Sequence, residues 1–390
     1  MSHSQGDTPP RVFLLEPRVL VETRRRLFLG EPDLMAADDR LLQDASQILD
    51  VGPFSVVDKE SLPPSGDERD YMSLAPYWWP NEGSADGLPY VFREDQVDPN
   101  ADCHDRMALN AMSSAVNTLA LAYYFSDHEL FAAHAALLLR TWFLDENTGM
   151  NPHLDYGHGI PGRREGACSG IIEALPFSWL VDAVGLLGAS PSWTSDDQEG
   201  LESWFSHYLS WLLDSAFGRE RAGQPDHQGI LYDVQVASSA FFCGRTDLAD
   251  DVLNRAADRI GRRVGKDGLL ALEPTKPHEL EHCAMSLVGL FDLATLAEGV
   301  GLDLWNWETS DGRSIKTAFY WFVETLEDGG VWPGAQIEDF DQYQLLPLLR
   351  RGAIKYRDAA CEDRIEALEG IDAEADRTNL LYPKEKMAKC

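Results

Sequence analysis

The chain has 390 residues, 44% of them hydrophobic, with 65 acidic against 33 basic side chains and a formal net charge of −32. The apolar content excludes disorder of the whole chain and supplies a large core, and so negative a surface excludes nucleic acid as a partner. The acidic residues are spread along the chain and arginine outnumbers lysine, as expected of a protein kept dispersed in a salty medium, so clusters of Arg, Lys and His stand out wherever they occur.

The N-terminal segment MSHSQGDTPPRVF has no charged region followed by an apolar run, so the chain as written carries no export signal and is expected in the cytoplasm. No stretch approaches the roughly 18 apolar residues of a membrane span. The six cysteines are widely spaced, without metal-like pairs, and are expected as free thiols. Apolar residues recur at three- and four-residue spacing from Arg18 to Leu49, predicting the first helix.

A loop follows that is too proline-rich for a helix, Asp70 to Pro80, holding Tyr71, Tyr77, Trp78 and Trp79. Such aromatics stack on sugar C–H faces or plug the loop into the core. Helices are predicted from Arg106 to Phe125 and Glu129 to Phe143, and then comes Met150 to Arg164, a Gly/Pro-rich loop with Asn151, His153, Asp155, Tyr156, His158, Arg163 and Arg164. In so basic-poor a chain this density is informative: arginine binds carboxylates bidentately, and imidazole or phenol moves protons near neutral pH.

Helices from Gly170 to Leu187 and Asp196 to Phe217 lead to Asp226-His227, placed where a loop becomes the helix Gly229 to Phe242. A histidine at a helix start is biased to its neutral, base-competent form, and Tyr232 and Gln235 follow at helical spacing. After Thr246 to Arg263, the segment Glu273 to Cys283 brings Lys276 near His278 and His282, the latter two at a spacing that metals also use. Helices from Leu280 to Glu298, Ser314 to Leu326 and Tyr343 to Tyr356 complete about ten in all. Trp332 and Gln336 lie between the last two.

Helical hairpins with alternating short and elaborate connections predict an all-α fold, an (α/α) toroid or barrel in one domain. The expected division is an N-terminal helical segment 1–50, a barrel 51–372 and a loosely ordered tail 373–390.

The loops carry a resemblance. LPPSGDERDYMSLAPYWWP with its following GLPY, AVNTLALAYYF, LLLRTWFLDENTGMNP with its trailing Tyr156 and IPGR, and LYDVQVAS, in this order, resemble the alginate-lyase-like superfamily, polysaccharide lyase families 5 and 38, from about Pro53 to Tyr356. The resemblance implies an (α/α) toroid and metal-independent β-elimination of alginate, glucuronan or a related polyuronide, with no cofactor and no metal. It places His227 at the family histidine, Asp226 at a position where the family has Asn, Lys276 where it has Arg, and His282 where it has the catalytic Tyr.

His227, His282, Lys276, Tyr156 and Arg163 are therefore the expected catalytic set. Tyr71, Tyr77, Trp78, Trp79, Asn151, His153, His158, Asp226, Tyr232, Gln235, Trp332 and Gln336 are the expected sugar contacts. The expected partner is a polyuronide polymer or oligosaccharide, with no nucleic acid or membrane; the oligomeric state stays open. Hydrolysis by a carboxylate pair, or sugar binding without turnover, are the alternatives.

Overall fold

The computed structural model describes residues 8–94, 96–102, 104–270, 279–327, 341–368 and 370–384. Most of these are helical: α1 (Pro17–Phe28), α2 (Pro32–Gln47), α3 (Asp105–Ser126), α4 (Glu129–Leu139), α5 (Phe177–Leu186), α6 (Ser195–Asp214), α7 (Ala216–Ala222), α8 (His227–Phe242), α9 (Thr246–Arg263), α10 (Glu279–Glu298), α11 (Ile315–Glu327), α12 (Leu345–Tyr356), α13 (Ala360–Glu366) and α14 (Thr378–Leu381). Four short strands accompany them, β1 (Met72–Leu74), β2 (Trp78–Trp79), β3 (Val91–Phe92) and β4 (Tyr156–Gly159). β1 runs parallel to β4, with Met72 opposite Tyr156 and Leu74 opposite Gly159. β2 is antiparallel to β3, with Trp78 opposite Phe92.

Two predicted helices are broken where the backbone demands it. The expected Arg18 to Leu49 helix is two, because Gly30 takes a φ of +70° and Pro32 opens α2. Glycine tolerates that left-handed cap, and proline at a first helical position loses no intrahelical bond. The expected Gly170 to Leu187 helix begins as a 3-10 segment, Cys168–Ala174, and becomes α-helical only after Pro176.

Contacts divide the chain into two compact units. In the loop-bearing unit, Gln47–Gln224 with Leu231–Ala249, the core is an aromatic cluster. Phe177 meets Trp204 edge-on at 5.6 Å, Trp204 stacks on Tyr208 at 5.5 Å, and Phe205 meets Phe242 at 5.2 Å. Each such pair contributes roughly 0.5–1.5 kcal/mol beyond its buried area. The cluster also positions a loop, since Trp204 Nε1 donates to the Met150 carbonyl at 2.7 Å. At the start of α6, Thr194 and Asp197 form a reciprocal capping box. Hydrogen bonds from Arg140 hold the Asp197 carboxyl down at about 2.

In the terminal unit, Met1–Ser46 with Pro225–Ile230 and Asp250–Cys390, buried Arg351 pairs with Asp292 at 2.7 Å and donates to Thr295 Oγ1 at 2.9 Å. Its guanidinium lies 5.4 Å over the Phe291 ring. The chain end is better anchored than its composition predicts: α14 lies within the expected tail, and Asn379 Nδ2 donates to the Asp33 carbonyl at 2.8 Å.

Against the expectation from sequence, two helical stretches, Cys168–Ala189 and Leu280–Glu298, are long and apolar enough to cross a membrane, with 72% and 78% of their apolar windows buried in the structure. Buried core helices pass the same test of length and composition.

Candidate active site

The candidate residues fall into two groups, one in each unit. In the loop-bearing unit, β1 and β4 lie side by side and bring the aromatic loop against the histidine loop. The hub is a residue the sequence reading passed over, Glu173, in the 3-10 segment and only 7% exposed. Its Oε2 accepts from the Tyr71 hydroxyl at 3.1 Å and from the Ser73 hydroxyl. Its Oε1 lies 3.2 Å from His158 Nε2 and 3.7 Å from Arg106 Nε. A carboxylate buried this deeply needs such partners, since desolvation otherwise makes its charge costly.

His158 is held on three sides. Besides Glu173, its Nδ1 lies 2.9 Å from Ser169 Oγ and its N–H donates to Ser73 Oγ at 2.9 Å. Its φ of +52° is unusual for a residue with a side chain and is maintained by these contacts. Tyr71 is fully buried, and burial together with the neighbouring Glu173 carboxylate pushes its phenol well above the ordinary range.

His153 is braced in the same manner by Asp70, with Nε2 at 3.0 Å from Oδ1. Its Nδ1 accepts the Asp155 N–H at 3.4 Å and lies 3.5 Å from Asp155 Oδ2. Asp70 also accepts from Asn151 Nδ2 at 2.6 Å and Ser65 Oγ at 2.6 Å, and Asp155 accepts from Trp211 Nε1 at 2.9 Å. Tyr156 is half-buried, its ring 6.4 Å from that of His153. It lines a cavity of about 780 Å³ with Asp155, Arg164 and Cys168.

Beneath β1, the almost inaccessible Lys59 Nζ lies 3.1 Å from Asp105 Oδ2, which also accepts the Met72 N–H at 2.8 Å. Burial raises the Asp105 carboxyl to about 6 despite that lysine.

The paired tryptophans are each covered by an arginine. Arg93 lies 4.7 Å over Trp79 and Arg163 lies 5.0 Å over Trp78. Trp79 Nε1 donates to the Gln96 carbonyl at 2.8 Å, and Tyr77 is half-buried, its carbonyl accepting from the Arg93 N–H at 2.9 Å. Tyr232 and Gln235, expected at the sugar, are buried: the Tyr232 hydroxyl donates to the Leu212 carbonyl at 2.7 Å, and Gln235 joins Tyr208 at 3.0 Å to the Ile171 carbonyl at 3.2 Å. They pack the root of the α8 segment in this unit.

In the terminal unit the structure brings together two residues that are far apart in sequence. His227, the first residue of α8, and His282, one turn into α10, stack face to face with ring centroids 4.3 Å apart and planes 15° from parallel. His227 is 9% exposed and His282 half-buried. Asp226 caps α8, its Oδ1 accepting from the Gly229 N–H at 3.0 Å, as carboxylates at that position do. Lys276, Trp332 and Gln336 lie outside the described residues. Among the described residues no three His, Cys, Asp or Glu side chains gather as a metal site.

Comparison with solved structures assigns the class first. An alginate lyase from Bacteroides ovatus is similar at a TM-score of 0.90 and 33% identity over 96% of this chain and 100% of that one. Alginate lyase A1-III from Sphingomonas species A1 is similar in fold, at TM-score 0.64 and 12% identity over 99% of this chain and 100% of that one. A histidine-to-alanine variant of A1-III complexed with tetrasaccharide matches at TM-score 0.63 and 13% identity, with 99% and 100% coverage. The fold is thus the expected all-α, (α/α)-toroid class. The alginate lyase family profile matches residues 55–332, and the chain belongs to that family. It is accordingly a polysaccharide lyase acting on a uronic-acid-containing polysaccharide. No curated protein sequence matches it.

Proposed function

We propose that the chain cleaves a polyuronide of the glucuronan or alginate type by β-elimination, with the His227–His282 pair moving the protons. The observation that carries this reading is the stacked contact of the two rings at 4.3 Å. Elimination removes the C5 proton, acidic because it lies α to the sugar carboxylate, and expels the C4 oxygen, which must be protonated. One side chain has to be neutral and its partner able to donate.

Two imidazolium charges at this separation would repel by about 4 kcal/mol at an effective dielectric near 20, so the contact suits one neutral ring beside one that donates. The positive end of the α8 dipole disfavours charge most on its first residue. This assigns His227 as the base at C5 and His282 as the donor to the leaving oxygen, with the Tyr156 hydroxyl as the second candidate donor. Lys276 supplies positive charge for the carboxylate of the sugar undergoing elimination, and Arg163 for a sugar carboxylate of the bound polymer. Incubation with glucuronan, alginate and other polyuronides tests the reading through the ultraviolet absorbance of the C4–C5 double bond. Absence of that absorbance with every polyuronide, together with new reducing ends, would reassign the chain as a hydrolase.

A further inference from the structure

Arg163 and Arg93 each cover one of the two adjacent tryptophans, yet they differ in what neutralises them. Arg93 lies over Trp79 and its Nη2 is 2.6 Å from Glu82 Oε1, so its charge is already answered within the chain. Arg163 lies over Trp78, and its Nε donates to the Tyr90 carbonyl at 2.7 Å. Among the described residues no carboxylate lies within ion-pair distance of it, in a chain of net charge −32.

The placement of Arg163 is built, not incidental. Gly162 holds a φ of +74°, and a Cβ there would come within 2.8 Å of Pro89 Cα, so the turn presses against the chain segment that it contacts. The Tyr90 N–H donates to the Pro161 carbonyl at 3.0 Å, while the N–H groups of Arg163 and Arg164 both donate to the Ile160 carbonyl, at 2.9 and 3.0 Å. With Nε engaged and one face on an indole, the guanidinium keeps its terminal N–H groups in a fixed plane. That geometry suits bidentate recognition of a carboxylate.

Its exposure decides what kind of recognition this is. A group that stabilises charge developing in the transition state acts best where water is excluded. Arg163 is exposed, so it binds a carboxylate equally well before and during reaction, which lowers KM without changing kcat. Resting on the polyuronide reading above, we infer that Arg163, backed by Trp78, is a specificity-determining residue that holds the carboxylate of a uronate other than the sugar undergoing elimination. The enzyme then reads charge at a second position along the polymer, and replacing that uronate by a neutral sugar weakens binding.

The test compares wild type with Arg163→Gln, Arg163→Lys and Trp78→Ala on glucuronan and alginate over a range of salt concentrations. Losing one charge-assisted bidentate contact predicts a KM about tenfold higher for Arg163→Gln with kcat within about twofold, a flatter dependence of KM on salt, and a smaller rise for Arg163→Lys. An unchanged KM in Arg163→Gln overturns the inference. So does a large fall in kcat at constant KM, which would place Arg163 at the reacting sugar. Polymer affinity measured by titration separates this inference from the reading beneath it. If wild type binds polyuronide without eliminating it, the proposed function fails, and equal affinities of wild type and Arg163→Gln would sink the Arg163 inference as well.

Discussion

The histidines of the two units have different ring neighbours. In the histidine loop each ring has a carboxylate partner, Asp70 for His153 and Glu173 for His158, and those carboxylates are tied in turn to Asn151, Ser65, Tyr71 and Ser73. At the starts of α8 and α10, His227 and His282 meet each other. An imidazole set beside a buried carboxylate has a fixed charged neighbour and helps hold backbone in shape. An imidazole packed on a second imidazole has a neighbour whose charge state depends on its own. The first arrangement suits positioning and the second suits proton transfer, in keeping with the expectation that His227 and His282 are catalytic and His153 and His158 sugar contacts.

That contrast can be broken by mutation. The largest effect is expected at His227. His227→Ala should lower kcat/KM by about a thousandfold, within the range for loss of a general base, with the thermal unfolding midpoint little changed. His282→Ala should cost about a hundredfold, and His282→Tyr, which restores the residue the family resemblance expects, should retain more activity than His282→Ala. Steady-state rates from product absorbance check both. If His282→Ala is as active as wild type while Tyr156→Phe is not, the donor is the phenol.

The loop histidines should fail differently. His158→Ala leaves the buried Glu173 without its imidazole and should lower stability by roughly 1–3 kcal/mol, read by urea unfolding, with kcat reduced far less than in His227→Ala. A thousandfold loss of kcat in a His158→Ala protein that unfolds normally would erase the distinction between the two regions.

The smallest effects are in pH dependence, where two carboxyls oppose each other. Asp197, held at about 2 by Arg140, contributes stability that is present above the ordinary value of 3.8 and lost as pH falls toward 2. Asp197→Asn should therefore flatten the acid limb of stability. Asp105, raised from 3.8 to about 6 by burial, favours the fold most below 3.8 and loses that contribution as pH rises through 6. The stability of wild type relative to Asp105→Asn should accordingly fall between these values.

Much of this molecule was legible in the amino-acid order because its helices bury one face, and a 3.6-residue apolar period survives in sequence. The helix breaks were legible too, in Gly30 and Pro32, but the periodicity ran across them and masked the punctuation. The strands were not, since elements of two to four residues such as β2 carry too little alternation to show. At the site, the sequence supplied His227 and His282 separately, and only the fold stacks them. Glu173 was missed because it sits as one charge in an apolar run. That position was itself the signal, for a carboxylate inside a buried segment requires partners. Tyr232 and Gln235 were legible as one helical face, but helical spacing alone does not say whether a face meets ligand or core.

The account rests on the stacked pair acting as one proton-transfer unit, and the pH–rate profile of polyuronide cleavage in wild type and His282→Tyr tests it most directly. A bell-shaped kcat profile in wild type whose alkaline limb disappears in His282→Tyr, where the donor is a phenol that stays protonated throughout, is the predicted result. Identical profiles for the two proteins would contradict it.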